Sequence, residues 1–279
     1  MRSPLPAPAR SLNNLRSRLN APVANSGRGF RRQFELSIGC LPLRLQMSDA
    51  PLFHAASARY AAFTARAARP ITITLNNETP PECAPADFGY EFEGAALHAF
   101  SHGVRFDGVR NQYALDSLLR VFLSWKLLEH HGFLLHAATI IRDGKAYVFT
   151  GRSGAGKSTV ASLSPQGSVF TDEISLLRRE NGIWRAYGTP FWGDFKAAGS
   201  NSSAPVAGIF RLLQASDNRA VALRPMATLR TLLPNVLFFS AEAESTRKLL
   251  EILTRAATEI PGYNLSFRKN PTFWEVLPA

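Results

Sequence analysis

Apolar and polar residues first fall into a regular pattern at 34–39 (FELSIG) and 41–46 (LPLRLQ). Both runs alternate with a period of two around a Gly-Cys pair, which predicts two short strands and a turn. The Ala-rich stretch 50–68 predicts a helix that stops before Arg69-Pro70, and 71–76 (ITITLN) predicts a strand. Pro80, Pro81 and Pro85 then break the chain, after which FGYEFEG, ALHAFSH and GVRFDGV predict a meander of strands with glycine turns. The clearest helical period covers 113–131, where Leu115, Leu118, Leu119, Phe122 and Trp125 form one apolar stripe. It ends at His130-His131-Gly132. Adjacent histidines point in different directions on a helix, so they are expected at the negative end of the dipole rather than on a metal.

Beyond that helix, 133–141 and 145–150 are apolar runs joined at Asp143-Gly144, a predicted hairpin whose second strand runs into a glycine-rich loop. Residues 168–179 (SVFTDEISLLRR) predict one strand crossing an acidic pair, and 184–192 and 208–214 predict two more. RAVALRP predicts a strand entering a helix near Pro225. Residues 240–260 predict a helix with Ser240 as N-cap, Glu242 and Glu244 at its positive end, and Gly262 closing it. YNLSF and TFWEV complete the chain, and no internal repeat is visible. The pattern divides the sequence into a tail (1–32), a small α+β module (33–110) and a larger domain (111–279).

Composition changes this picture at one end. Of the net charge of +11, residues 1–32 hold seven arginines and no acid, leaving +4 for the rest. Rich in Pro, Ser and Asn, this stretch is expected to be a disordered basic tail. Such an arm could touch nucleic acid, but the plain tail is the expectation, so nucleic acid is not an expected partner. Apolar residues make up 46% of the 279, enough for a core. No apolar run is long enough to span a bilayer, and no secretory signal is visible. Cys40 and Cys83 stand far apart and are expected to be free thiols. The expected location is therefore cytoplasmic.

Gly151-Arg-Ser-Gly-Ala-Gly-Lys-Ser158 fits G-x-x-x-x-G-K-[ST] between a predicted strand and a predicted helix. Glycines let successive N–H groups converge on an anion, and the following helix adds its positive dipole end. Gly151, Arg152, Ser153, Gly154, Ala155, Gly156, Lys157, Ser158 and Thr159 are thus the expected triphosphate cradle. Lys157 would reach the β- and γ-phosphates, and the Ser158 hydroxyl would ligate Mg2+. Asp172-Glu173 follows fourteen residues after Ser158. One of these carboxylates would hold the metal, directly or through water, and the other would take a proton from an attacking hydroxyl. His136, on the strand before the loop strand, is expected either to sit in the core or to tune the acidic pair.

His136 on one strand, a hairpin, GRSGAGKST and then TDE resemble the catalytic domain of HPr kinase/phosphorylase. The stretch is similar also to the related P-loop kinases that phosphorylate serine on lasso-peptide precursors, and more distantly to phosphoenolpyruvate carboxykinase. The resemblance covers roughly 113–279 and is clearest over 133–180. It implies an α/β fold with an α+β tendency: a mixed-sheet P-loop kinase core preceded by the small α+β module. It implies Asp172 as the base that activates the acceptor. The family's acidic pair is Asp-Asp, so Glu173, longer by a methylene, is expected to hold the metal through water. The family's His-Gly is His136-Ala137 here, and its glycine-rich substrate stretch is replaced by GTPFWGDF, where Trp192, Asp194 and Lys196 are candidate substrate contacts. The implied activity is an ATP-dependent (or other nucleoside triphosphate-dependent), Mg2+-dependent transfer to a hydroxyl, with serine of a peptide or protein other than HPr as the acceptor. The catalytic set is Asp172, Lys157 and His136, and Ser158 and Glu173 hold the metal. A small hydroxy metabolite as acceptor, and a non-catalytic nucleotide switch, stay open as alternatives.

Overall fold

The computed structural model describes residues 31–78, 86–101, 103–165, 168–191, 193 and 199–278. Almost all of the basic tail, Cys83, the three prolines at 80, 81 and 85, and Trp192, Asp194 and Lys196 lie outside the described residues. The chain is mixed α/β and divides into two compact units. One comprises 1–37, 41–122 and 239–241; the other comprises 38–40, 123–238 and 242–279. No helix among the described residues is long and apolar enough to cross a membrane.

The first unit is built on a six-stranded sheet. Its strands are β1 (Arg32–Ile38), β2 (Leu41–Met47), β3 (Ile71–Leu75), β4 (Phe88–Phe92), β5 (Ala95–Phe100) and β6 (Gly103–Asp107). The order is β1-β2-β3-β6-β5-β4, with β2, β3 and β6 parallel and β4, β5 and β6 antiparallel. Gly39 and Cys40 both adopt positive φ, as a two-residue hairpin turn matched to strand twist requires. Leu43, Leu45, Met47, Ile73, Leu97 and Phe106 are buried. The helix expected over 50–68 is shorter: α1 spans Ala50–Arg59, and a 3-10 turn covers Ala61–Phe63. Tyr60 and Phe63 are fully buried, and Thr64 bridges Leu36 of β1. Tertiary pairing here overrides the alanine preference for helix.

Helix α2 (Gln112–Lys126) passes from the first unit into the second and tightens into a 3-10 turn, Leu127–His130. Leu115, Leu118, Leu119 and Phe122 of the expected stripe are buried. His131 closes it in the left-handed region.

The second unit is built on a nine-stranded sheet. Its strands are β7 (Gly132–Arg142), β8 (Lys145–Thr150), β9 (Val169–Thr171), β10 (Ile174–Glu180), β11 (Ile183–Tyr187), β12 (Ser203–Gln214), β13 (Arg219–Leu223), β14 (Val236–Leu237) and β15 (Gly262–Phe267). The path is β11-β10-β7-β8-β12-β15-β13, and β9 and β14 also pair with β7. β8, β12 and β15 run parallel; β7 is antiparallel to β8. β11 also pairs with β12, so β11, β10, β7, β8 and β12 close on themselves. Small residues, Ala146, Ala186 and Ala204, meet there in a buried cluster.

Helices α4 (Pro225–Leu232) and α5 (Ala243–Glu259) cover one face, where Leu232, Leu249, Leu253 and Ala256 pack with Phe133, Leu135 and Val148. Helix α3 (Lys157–Ser162) lies on the other, where Val160 and Ala161 pack with Ile140, Phe149, Phe210 and Phe267. Pro225 sits in the first turn of α4, as expected. Two helix-end expectations need correction. Glu242, not Ser240, is the N-cap of α5, with its carbonyl accepting the Thr246 N–H at 3.0 Å. Gly262 does not close that helix but opens β15; Ile260 goes extended before Pro261, which cannot continue a helix.

Candidate functional site

The glycine loop leaves the carboxyl end of β8, the strand flanked by antiparallel β7 and parallel β12. Gly154 and Gly156 hold φ of +80° and +114°. A Cβ on Gly156 would come within 2.5 Å of the Phe267 ring, so the loop rests directly on the aromatic core. The Gln214 side-chain amide donates to the Gly154 carbonyl at 2.7 Å and holds the tip from β12. Gly156 caps α3, and its carbonyl accepts the Val160 N–H at 2.9 Å. Arg152, Ser153, Gly154 and Ser158 are exposed, while Ala155 and Thr159 are half-buried.

Lys157 is only 8% exposed, and its ammonium donates to the Gly151 carbonyl at 3.1 Å. Burial pushes its pKa below the ordinary lysine value, and the negative charge of Glu173 works against that fall.

The acidic pair is not carried within one strand over 168–179. The run is two strands, β9 and β10, and Asp172-Glu173 forms the break between them. Thr171 makes that break: its hydroxyl accepts from the Glu173 and Ile174 N–H groups at 3.3 and 3.2 Å, and donates to the Ile174 carbonyl at 3.0 Å. Such a hydroxyl turn replaces ladder bonds and ends the strand. Both β9 and β10 still pair with β7, so the turn is held at a defined place on it. Asp172 is 5% exposed and accepts the Gly193 N–H at 2.9 Å. A buried carboxylate with a backbone donor is held in one orientation.

His136 lies on β7 opposite Ile174, the residue after the acidic pair. The N–H of the next residue, Ala137, donates to the Glu173 carbonyl at 3.1 Å. The His136 carbonyl accepts the hydroxyl of Thr150, the last residue before the glycine loop, at 3.0 Å. His136 thus stands on the strand segment that ties the acidic turn to the root of the loop.

The backbone thus sets the acidic turn and His136 of β7 next to β8, the strand that runs into the glycine loop with Lys157 at the start of α3. No group of three or more His, Cys, Asp or Glu side chains forms a metal cluster among the described residues. A magnesium held by one hydroxyl, one carboxylate and phosphate oxygens needs no such cluster. Gly193, Thr171 and Gln214 escape the sequence reading. Gly193 stood inside GTPFWGDF, where the aromatic and charged neighbours drew attention; a Thr directly before two acids is the only local sign of the turn.

The family model of the SynChlorMet cassette protein ScmC matches residues 113–278. The chain belongs to the ScmC family. The matched residues of this ScmC-family chain begin in α2 and include the glycine loop, the acidic turn and all of β7–β15, while β1–β6 precede them. No curated protein matches the chain.

Proposed function

We propose that this ScmC-family chain is a Mg2+-dependent P-loop kinase of the HPr kinase-like type. It transfers the terminal phosphoryl group of ATP, or another nucleoside triphosphate, to a hydroxyl, namely serine of a peptide or protein. The observation that carries this reading is the acidic turn held on β7 at the root of the glycine loop: Ala137 donates to the Glu173 carbonyl and pairs with Thr150, the last residue before the loop. An acidic turn next to a phosphate-type loop supports phosphoryl transfer, which needs a base as well as a phosphate cradle.

The residues present suit the two groups involved. A glycine-rich loop at a helix start, a buried cation and an exposed hydroxyl on Ser158 match a polyphosphate and its magnesium. Ser158 would ligate the metal and Glu173 would hold it through water. Bound there, Mg2+ would neutralise charge on the β- and γ-oxygens.

In the reaction, the loop N–H groups and Lys157 hold the donor and meet the charge that develops on the phosphoryl oxygens. Asp172 accepts the proton of the attacking hydroxyl. The oxygen–phosphorus bond to the acceptor forms as the bond to the leaving diphosphate breaks. The Gly193 N–H holds the Asp172 carboxylate in place. His136, on the adjoining strand, tunes the pair.

The direct test is intact-mass screening of candidate peptides for a gain of about 80 Da, the mass of a phosphoryl group. Asp172→Asn should lower the labelling rate by about 10²–10⁴-fold, as expected for loss of a general base, while ATP binding stays near wild type. A variant that labels at the wild-type rate removes Asp172 from this role. Wild-type protein that binds ATP and labels no hydroxyl favours a nucleotide switch.

A further inference from the structure

Thr139, Thr150, Thr171, Ser175 and Thr189 are all buried around the place where the acidic turn meets β7. Each hydroxyl is bonded. Thr150 donates to the His136 carbonyl and Ser175 to the Ala137 carbonyl, both at 3.0 Å, and Thr139 and Ser175 share a bond of 2.7 Å. Thr171 shapes the turn itself. Those four residues lie on β7, β8, β9 and β10, but Thr189 lies in the connection 188–202 between β11 and β12. Its hydroxyl donates to the Ile174 carbonyl at 2.8 Å, the same oxygen that takes the Thr171 hydroxyl. A carbonyl has two lone pairs, so the far end of the acidic turn is pinned from two directions. Thr189 is 1% exposed. A valine of the same shape would fill its place with no polar atom to satisfy, so what the hydroxyl adds is the direction of its bond.

The connection lies close against the turn. The Gly188 N–H donates to the Ser202 carbonyl at 3.1 Å and draws its ends together. A Cβ on Gly199 would stand 2.1 Å from the Phe170 carbonyl and 3.2 Å from the Thr189 nitrogen, so only bare backbone fits there. After Thr189 the chain has little freedom: Pro190 fixes its own φ, and Phe191 is fully buried. Gly193 then donates to the Asp172 carboxylate at 2.9 Å, and a Cβ on it would stand 3.0 Å from Asp172 Oδ2 and 3.2 Å from Glu173 Cβ. One connection thus grips the acidic turn twice, at the Ile174 carbonyl through Thr189 and at the Asp172 carboxylate through Gly193.

We propose that Thr189 is a positioning residue for Asp172. It anchors the start of the connection on Ile174, which brings the Gly193 N–H to the carboxylate and holds Asp172 where it takes the proton of the acceptor. Thr189 touches neither donor nor acceptor and acts only through this contact. The assignment rests on the kinase reading, in which Asp172 is the base.

The full chain, isotope-labelled at glycine nitrogen, tests the placement of Asp172 without an acceptor. Asp172→Asn marks the Gly193 amide resonance and gives its position without the carboxylate. Thr189→Val should move that resonance toward the Asp172→Asn position and speed hydrogen exchange of the Gly193 amide by about tenfold or more. Thr189→Ser keeps the hydroxyl and should leave both as in wild type. A hydroxyl that only stabilises the core would lower the urea midpoint of Thr189→Val and leave the Gly193 resonance where it is. That result, or a Thr189→Ser chain that behaves like Thr189→Val, overturns the assignment. If Thr189→Val does not fold, the smaller Thr189→Ala takes its place in the same comparison. Slow ATP hydrolysis with Mg2+, with water as the acceptor, supplies the catalytic arm. Thr189→Val should hydrolyse ATP about tenfold or more slowly than wild type, while calorimetric ATP affinity stays within about twofold because the glycine loop is untouched. Equal rates in the two chains overturn the assignment. Wild-type protein that binds ATP and neither hydrolyses it nor labels any hydroxyl overturns the kinase reading instead, and the Gly193 comparison still decides whether Thr189 places Asp172.

Discussion

Gly156→Ala tests the loop at its most constrained point. Two penalties add there. The backbone holds φ +114° and ψ 21°, outside the wells that L-residues occupy, at a cost of about 1–3 kcal/mol. The new Cβ would meet Phe267 at 2.5 Å from Cζ and 3.0 Å from Cε1. That ring cannot swing aside: it is fully buried, packs edge-on against Phe273 with centroids 6.0 Å apart, and belongs to the cluster with Phe149 and Leu265. Overpacking of this kind adds about 1–3 kcal/mol. Together the change should cost about 2–6 kcal/mol in urea unfolding, or force the loop off its position and weaken ATP binding at least about tenfold. Gly154→Ala is the internal control. It also has positive φ, +80°, but nothing lies within 4 Å of its Cβ, so only the conformational cost of about 1–2 kcal/mol applies. A cycle with Phe267→Ala isolates the steric part. The double variant should be more stable than the two single losses imply, by about 1–3 kcal/mol. If Gly156→Ala costs no more than Gly154→Ala, or the cycle is additive within about 0.5 kcal/mol, the loop does not rest on Phe267 as described.

Two further perturbations follow from charge. Burial lowers the Lys157 pKa below its ordinary 10.5, so as pH rises the folded chain sheds this proton before the unfolded chain does. Between the lowered value and 10.5 the unfolded state binds more protons, so this group makes stability rise with pH in that window while polyphosphate affinity falls. Glu173→Gln removes a charge that favours the ammonium, so the loss of ATP affinity should begin at lower pH than in wild type; superimposable profiles would contradict that influence. In the first unit, Asp116 accepts the Tyr60 hydroxyl and pairs with Arg59 at 2.5 Å, with side-chain exposures of only 7% and 11% for the acid and the arginine. Asp116→Ala strands a partly buried cation and a buried hydroxyl, and should lower unfolding stability by about 3–5 kcal/mol, read from urea midpoints; a loss below about 1 kcal/mol would place the pair among ordinary surface bridges.

The parts of this fold that are legible in the sequence are those set by neighbours along the chain. The β7–β8 hairpin is one: Asp143 and Gly144 both take positive φ at the turn, and the apolar runs on either side pair as the alternation implies. The glycine loop is another, because its spacing alone demands a strand before it and a helix after it. What pattern conceals is pairing decided at long range. The run 168–179 has a continuous strand-like pattern, yet Thr171 draws three backbone groups to its hydroxyl and breaks it at the acidic pair. The stretch 61–68 has a helical composition, yet Thr64 joins β1.

The same distinction accounts for the two halves of the candidate site. The phosphate loop is one continuous segment and carries its own signature. The acidic side depends on where β9 and β10 settle along β7, which fixes the distance from Glu173 to Lys157. The flank of β8 away from that turn depends on β12, fifty-odd residues later, inserting parallel between β8 and β15. Only that insertion carries Arg211 to Thr150 and sets Asn264 and Val221 in line behind it. A one-residue slip of β12 would turn Arg211 to the opposite face and bring Phe210 and Leu212 out of the aromatic core. Those two residues are buried among Phe149, Leu265 and Phe267, so the same packing that seats the glycine loop on Phe267 also holds the register that pairs Arg211 with Thr150.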